Sequence, residues 1–231
     1  MPPLLLLHGA LGAKDQFEPL LPLLPPSLPV FRLNLAGHGG EPFPEEGPFS
    51  IETFVDQLLA WLEAQDLGPV WVFGYSMGGY VALEAARREP ARFAGIFTLA
   101  TKFTWTPETA LHEMAKLQPE VIAAKVPAFA QALQQRHAPQ DWTQVVKQTA
   151  ALMLELGQKP LLSPETFSQI TVPVRIAVGD RDQMVTVEES LAAYRQLPQA
   201  QFQVLPATKH PLEQLDWPLL ASALRHFFNY A

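Results

Sequence analysis

The chain has 231 residues, of which 48% are hydrophobic, and its formal net charge is −7. That length and apolar content suffice to bury one sizeable core, and the acidic balance argues against nucleic acid as a partner and against a polybasic lipid anchor. With no cysteine, a disulfide framework and a thiolate metal site are both ruled out.

The opening residues, MPPLLLLHGA, lack the basic segment and the apolar length of a secretory signal, so a cytoplasmic location with no membrane partner is expected. The 23 prolines, the absence of cysteine and only two asparagines (Asn34 and Asn229) suggest a heat-adapted source, although 17% charged residues is low for one. Residues 4–7 form an apolar run ending in His8-Gly9-Ala10-Leu11-Gly12, which predicts a buried strand entering a tight turn. A helix is predicted over 16–24 and a second strand over 30–35, closed by Ala36-Gly37-His38-Gly39-Gly40. Ser50 is placed to cap a helix over 51–66, with Phe54, Leu58, Leu59, Trp61 and Leu62 at helical spacing.

A third apolar run, 70–73, breaks into Gly74-Tyr75-Ser76-Met77-Gly78 and continues as a helical pattern through Arg88. This is the pattern of a nucleophile elbow, a sharp strand-to-helix turn that holds a serine clear of the sheet and sets the next backbone N–H at a helix N-terminus, where it stabilises an oxyanion. A short strand follows at 95–100, and 101–168 reads as an inserted helical segment punctuated by prolines. Strands return at 173–178, before Gly179-Asp180-Arg181-Asp182, and at 202–205, before Pro206-Ala207-Thr208-Lys209-His210. Helices over 188–197 and 217–228 complete the alternation, which predicts a parallel sheet with helices on both faces.

His8, Ser76, Asp182 and His210 all fall at the C-terminal ends of predicted strands, where open parallel sheets bind their ligands. A serine hydroxyl needs a histidine to take its proton, and that histidine needs a carboxylate to hold its tautomer. Ser76, His210 and Asp182 are candidates for these roles. Asp180 reads as a turn residue, and His8 and His38 as turn-shaping residues. His112, His137 and His226 fall in predicted helices or at their ends, where solvated or helix-end histidines are expected, and their scatter offers no metal-ligand spacing.

Taken together, His8-Gly9-Ala10-Leu11-Gly12, Ala36-Gly37-His38-Gly39, 74–79, Gly179-x-x-Asp182 and His210 resemble the α/β-hydrolase fold superfamily, in its cofactor-free serine form with a helical cap. The resemblance implies a core over 1–100 and 169–231, a cap over 101–168, a triad of Ser76, Asp182 and His210, and an oxyanion hole made by the backbone N–H groups of Ala10 and Met77. Its Gly-x-x-Asp element selects Asp182 rather than Asp180. Family members usually begin with two further strands, so a doubly wound sheet of about six strands is expected, with 30–35 at an edge that Pro29, Arg32 and Asn34 protect, in a monomer or an edge-paired homodimer.

Three departures bear on substrate and contacts. Asn34 stands where an acid is common, Pro211 follows the histidine where carbon-carbon bond hydrolases carry tryptophan, and Tyr80 stands where the related lyases carry arginine. The expected activity is therefore hydrolysis of a small to medium carboxylic ester, thioester or lactone. A small-molecule receptor or a carbon-carbon hydrolase or lyase on the same fold is the alternative. Leu11, Phe103, Trp105, Phe129, Trp142 and Met153 are expected to line the substrate pocket, and Lys102 either meets an anionic group or snorkels to solvent.

Overall fold

The computed structural model describes residues 1–230; Ala231, the last residue of the expected core, lies outside the described residues. One sheet of six parallel strands organises the chain: β1 (Leu4–Leu7), β2 (Val30–Leu33), β3 (Val70–Tyr75), β4 (Phe93–Leu99), β5 (Val174–Gly179) and β6 (Ala200–Leu205), in the spatial order β2-β1-β3-β4-β5-β6. Strand β1 runs apolar without interruption because both of its faces are covered. Leu5 and Leu7 face one core with helices α1 (Ile51–Ala64), α2 (Met77–Arg88) and α8 (Val187–Tyr194), whereas Leu4 and Leu6 face the other with α9 (Trp217–Phe228) and a 3-10 helix over Lys14–Leu23. All four leucines are fully buried. The chain enters at β1, steps outward to β2 and returns past β1 to β3, so the order reverses between β1 and β3. Such a reversal opens a crevice at the carboxyl ends of the two strands.

Two elements depart from the sequence expectation for visible reasons. The helix predicted over 16–24 is a 3-10 helix, Lys14–Leu23, because Pro19 and Pro22 remove the N–H groups that α-helical bonding needs. The second strand stops at Leu33 instead of reaching residue 35, since the backbone beyond it is bound by side chains. The Leu35 N–H donates to His8 Nε2 at 3.1 Å and the Ala36 N–H to Gln57 Oε1 at 2.9 Å. Asn34 is buried and does not shield the edge. Its Oδ1 accepts the Lys14 N–H at 2.7 Å and its Nδ2 donates to the Gly39 carbonyl at 3.0 Å, tying two loops together. Arg32 lies in the edge strand, its side chain only a quarter exposed and paired with Glu18 of the 3-10 helix at 2.5 Å.

Between β4 and β5 lie α3 (Pro107–Met114), α4 (Pro119–Lys125), α5 (Pro127–His137), α6 (Trp142–Gln158) and α7 (Pro164–Phe167). Four of the prolines that punctuate this stretch occupy the first position of a helix, where a missing N–H costs nothing and the fixed φ is already helical. The segment is anchored to the sheet side through Tyr80 of α2, whose hydroxyl accepts the N–H groups of Leu161 at 3.1 Å and Leu162 at 2.9 Å. No described helix is long and apolar enough to cross a membrane.

Strand β3 and helix α2 meet at glycines. A Cβ on Gly74 would stand 2.5 Å from the Cα of Gly79, a backbone-on-backbone clash that no rotamer change relieves. Gly74→Ala is expected to lower stability by about 1–3 kcal/mol through forced backbone shifts, read as a lower urea midpoint at unchanged slope.

Candidate active site

The turn from β3 into α2 places Ser76 at φ 51° and ψ −117°, a backbone conformation that a residue with a side chain rarely adopts. Neighbouring groups hold it there. The Ser76 N–H donates to the Leu99 carbonyl at 2.8 Å, and the Ser76 carbonyl accepts the Thr101 hydroxyl at 3.0 Å and the Gly79 N–H at 3.0 Å. Gly78 is required on the far side, since a Cβ there would lie 2.4 Å from the Leu7 carbonyl oxygen of β1. The serine thus stands at the carboxyl end of the sheet and lines a cavity.

His210 and Asp182 come together beside it from the loops after β6 and β5. The imidazole Nδ1 donates to Asp182 Oδ2 at 2.8 Å, which leaves Nε2 as the free, proton-accepting nitrogen of the neutral ring. Asp182 is held in place by two further bonds, as its Oδ1 accepts the Met184 and Val185 N–H groups at 2.8 Å each, and its side chain is fully buried. Tyr75, next to the serine, donates its hydroxyl to the His210 carbonyl at 2.6 Å and so fixes the histidine loop to the end of β3. Burial raises the Tyr75 pKa and keeps the phenol protonated for that bond. Asp180 serves the turn, with Oδ1 accepting the Thr208 N–H at 3.2 Å. Ser76 and His210 line one cavity, with no hydrogen bond between them.

Ala10 and Met77 line that cavity too, and their N–H groups make no hydrogen bond among the described residues. The loop bearing Ala10 is secured from the helical insertion. At the end of α5, Arg136 donates to the Leu11 carbonyl at 2.8 Å, and His137 accepts the Gly39 N–H on Nδ1 at 3.1 Å, so that its Nε2–H donates to the Leu11 carbonyl at 3.2 Å. His137 is therefore not the solvated helix-end residue its position suggests; it is fully buried, and packs 5.7 Å from the His38 ring, which in turn lies 5.0 Å from that of His8.

The cavity measures about 430 Å³, within the usual range for a small-molecule site. Leu11, Trp105, Phe129 and Met153 line it as the sequence suggests, and so do Lys102, Leu152 and Leu156. Phe103 and Trp142 do not. Phe103 turns into the core, its ring edge-on to Phe167 at 5.7 Å, because it follows β4 on the inward side. Trp142 opens α6 and packs against the small cluster of Ile122, Leu133, Val145 and Val146. Lys102 does not snorkel outward, as its side chain is only 11% exposed.

With this geometry in view, the similarities of the chain become interpretable. Residues 2–212 match the family model described as the alpha/beta hydrolase fold. The chain belongs to this family. A pimeloyl-[acyl-carrier protein] methyl ester esterase of Neisseria meningitidis is 35% identical over 96 residues, 42% of this chain and 35% of that protein. The esterase of the same name from Aromatoleum aromaticum is 39% identical over 111 residues, 47% of this chain and 42% of its own. The matched stretches thus span less than half the length of these relatives. A thermophilic esterase from Thermogutta terrifontis shares the fold with a TM-score of 0.78 at 23% identity, over 99% of this chain and 90% of that one.

Within this α/β-hydrolase, Tyr75, Arg136 and His137 are positioning residues that the sequence did not single out. The tyrosine's place beside the motif serine was a usable signal, whereas the other two act across more than a hundred residues of chain. The three clustered histidines also make stability pH-dependent. Burial lowers the pKa of His8 and of His137 to about 4 and drives that of His38 well down. Below the unfolded value of about 6.5, the unfolded chain binds protons that the folded one refuses. Stability is therefore complete above that pH and falls as pH drops towards 4. Urea midpoints measured from pH 7 to 4 should show a loss on the order of a few kcal/mol, and His137→Gln, which cannot take up that proton, should flatten the slope.

Proposed function

We propose that the protein hydrolyses small to medium carboxylic esters through an acyl-enzyme. The observation that carries this reading is the strained Ser76 on the wall of an apolar cavity that also receives His210, with His210 Nδ1 bound to the buried Asp182 at 2.8 Å. Ser76 Oγ attacks the ester carbonyl carbon while His210 Nε2 takes its proton, and the developing oxyanion is received by the Ala10 and Met77 amides. His210 then gives the proton to the departing alcohol, and the acyl group stays on Ser76 until a water, activated by the same imidazole, releases the acid. The Ser76–His210 contact closes in the substrate complex, as catalytic hydrogen bonds commonly do. Asp182 holds the imidazole in the productive tautomer and stabilises its protonated form. Similarity to named esterases supports the same reaction class.

The substrate is a small molecule, and the helices over 101–168 act as its cap, presenting Trp105, Phe129 and Met153 to the acyl chain. The tyrosine in place of arginine in the serine motif is accounted for by structure, since its hydroxyl is spent on the cap anchor at Leu161 and Leu162.

Ser76→Ala is expected to abolish turnover of a short-chain aryl ester and labelling by a fluorophosphonate; retained turnover would remove the assignment. Asp182→Asn should lower kcat by up to on the order of 10⁴ with the fold intact, the loss seen when a triad carboxylate is replaced by an amide. Asp180→Asn should do far less, and the reverse ranking would place the acid on Asp180. Trp105→Ala and Phe129→Ala should each shift chain-length preference across an ester series while fluorophosphonate labelling persists. Unchanged preference in both would separate the cap from acyl selection.

A further inference from the structure

We propose that Lys102 is a carboxylate-binding residue of the cavity, which makes the enzyme selective for esters whose acyl half carries a carboxylate, such as hemiesters of dicarboxylic acids; the proposal rests on the ester-hydrolase reading above. Lys102 leaves the end of β4 and lines the cavity that contains Ser76, with its side chain only 11% exposed. An ammonium has three donors. Here one hydrogen bond is made, to the Met184 carbonyl at 3.3 Å, while Glu189 Oε2, 3.7 Å away, forms an ion pair with the ammonium but lies too far for a second hydrogen bond. Glu189 itself is already occupied, since Oε1 accepts the N–H groups of Phe103 and Thr104 at 3.0 and 3.1 Å and Oε2 that of Thr186 at 3.2 Å. The ammonium is thus charge-compensated, yet of its three donors only one is spent, which leaves capacity for a further acceptor in the cavity.

The other polar groups on the cavity wall are satisfied or catalytic. Thr149 donates to the Val145 carbonyl at 2.8 Å, the Tyr80 hydroxyl accepts two amides, Tyr75 donates to His210, and Lys116 pairs with Glu113 at 2.8 Å with its side chain half open to water. Beside Lys102, the indole N–H of Trp105 is buried without an acceptor, in a ring whose centroid lies 5.9 Å from the ammonium. Lys102 therefore brings spare hydrogen-bonding capacity to a wall that is otherwise apolar or internally bonded. A carboxylate is the acceptor that fits, because it meets a full positive charge with a charge-assisted bond, about twice as strong as a neutral one.

The acyl half is the part that meets Lys102. A second groove of about 450 Å³, lined by Arg181, Gln183, Lys209 and Pro211, adjoins the cavity through Lys116, Leu117, Met153, Met184 and His210 but includes neither Ser76 nor Lys102. His210 protonates the leaving alcohol, so the alcohol faces that groove while the acyl chain stays in the cavity.

The test compares kcat/KM for the p-nitrophenyl hemiester of adipic acid with that for p-nitrophenyl hexanoate, in the wild type, Lys102→Met and Lys102→Arg. The wild type should favour the hemiester, and Lys102→Met should reduce the ratio about tenfold or more, chiefly through KM, as expected for loss of a hydrogen bond to a charged group. Lys102→Arg should retain most of the preference. The ratio is insensitive to the fraction of protein folded, and a merely structural lysine would lower both rates alike. In parallel, calorimetry should show adipate binding to Ser76→Ala and about tenfold weaker binding to Ser76→Ala/Lys102→Met. A wild-type preference for the neutral ester, an unchanged ratio in Lys102→Met, or adipate affinity independent of Lys102 overturns the proposal. Lys102-dependent adipate binding without turnover of either ester would instead overturn the ester-hydrolase reading and leave the carboxylate site standing.

Discussion

The backbone of Ser76 sits at a positive φ of 51°, and the arrangement of the sheet around it follows from keeping it there. A residue in such a conformation costs on the order of 1–3 kcal/mol and persists only where its surroundings over-determine it. The surroundings here are β1 and β4, one on each side of β3, together with α2. Leu99 and Thr101 bind the serine's own peptide groups, Gly78 rides directly over the Leu7 carbonyl, and Gly74 and Gly79 let helix and strand approach until only hydrogen fits between them. The consequence is geometric: Ser76 and Met77, the latter with an N–H that makes no hydrogen bond among the described residues, both line the cavity at the start of a helix.

The helical insertion is bound into this site from several directions. Tyr80 holds its exit through Leu161 and Leu162, and Glu189 of α8 holds its entrance through the amides of Phe103 and Thr104. The end of α5 grips the Leu11 carbonyl with Arg136 and His137 and thereby fixes the turn that carries the Ala10 amide. Because His137 can make both of its bonds only in one neutral tautomer, the same histidine cluster that orders the turn also makes it sensitive to acid. The entrance clamp has a second consequence, since Glu189, already accepting three amides, meets Lys102 on the cavity wall only as an ion pair at 3.7 Å.

Much of the core and of the site was legible in the linear chain, because the signals are local. Four consecutive apolar residues make a strand covered on both faces, proline at a helix start is visible as proline, and Gly-x-Ser-x-Gly after such a strand encodes its own turn. Asp182 and Asp180 illustrate how far that reaches. Both sit in one short loop, and only the resemblance to the family's Gly-x-x-Asp pattern separated the carboxylate that meets His210 from the one that accepts the Thr208 amide. Phe103 and Trp142 mark where it ends, since an aromatic residue in an amphipathic stretch has no local sign of whether it faces the cavity or the core, and here both face away from the cavity.

The sequence by itself determined the strand and helix order and the elbow, because each is set by residues within a few positions of it, and it offered Ser76, Asp182 and His210 as candidates through their places at strand ends and the family resemblance. Only the tertiary structure decided that β2 ends at Leu33, that Asn34 ties loops together, that His137 is buried, and that Lys102 is enclosed beside Glu189 and Met184 on the cavity wall. Each of these depends on a partner distant in the chain, such as His8 for Leu35, Gly39 and Leu11 for His137, and Glu189 and Met184 for Lys102. Burial and hydrogen-bond satisfaction are properties of neighbours in space, and no periodicity in the chain records which neighbours those will be.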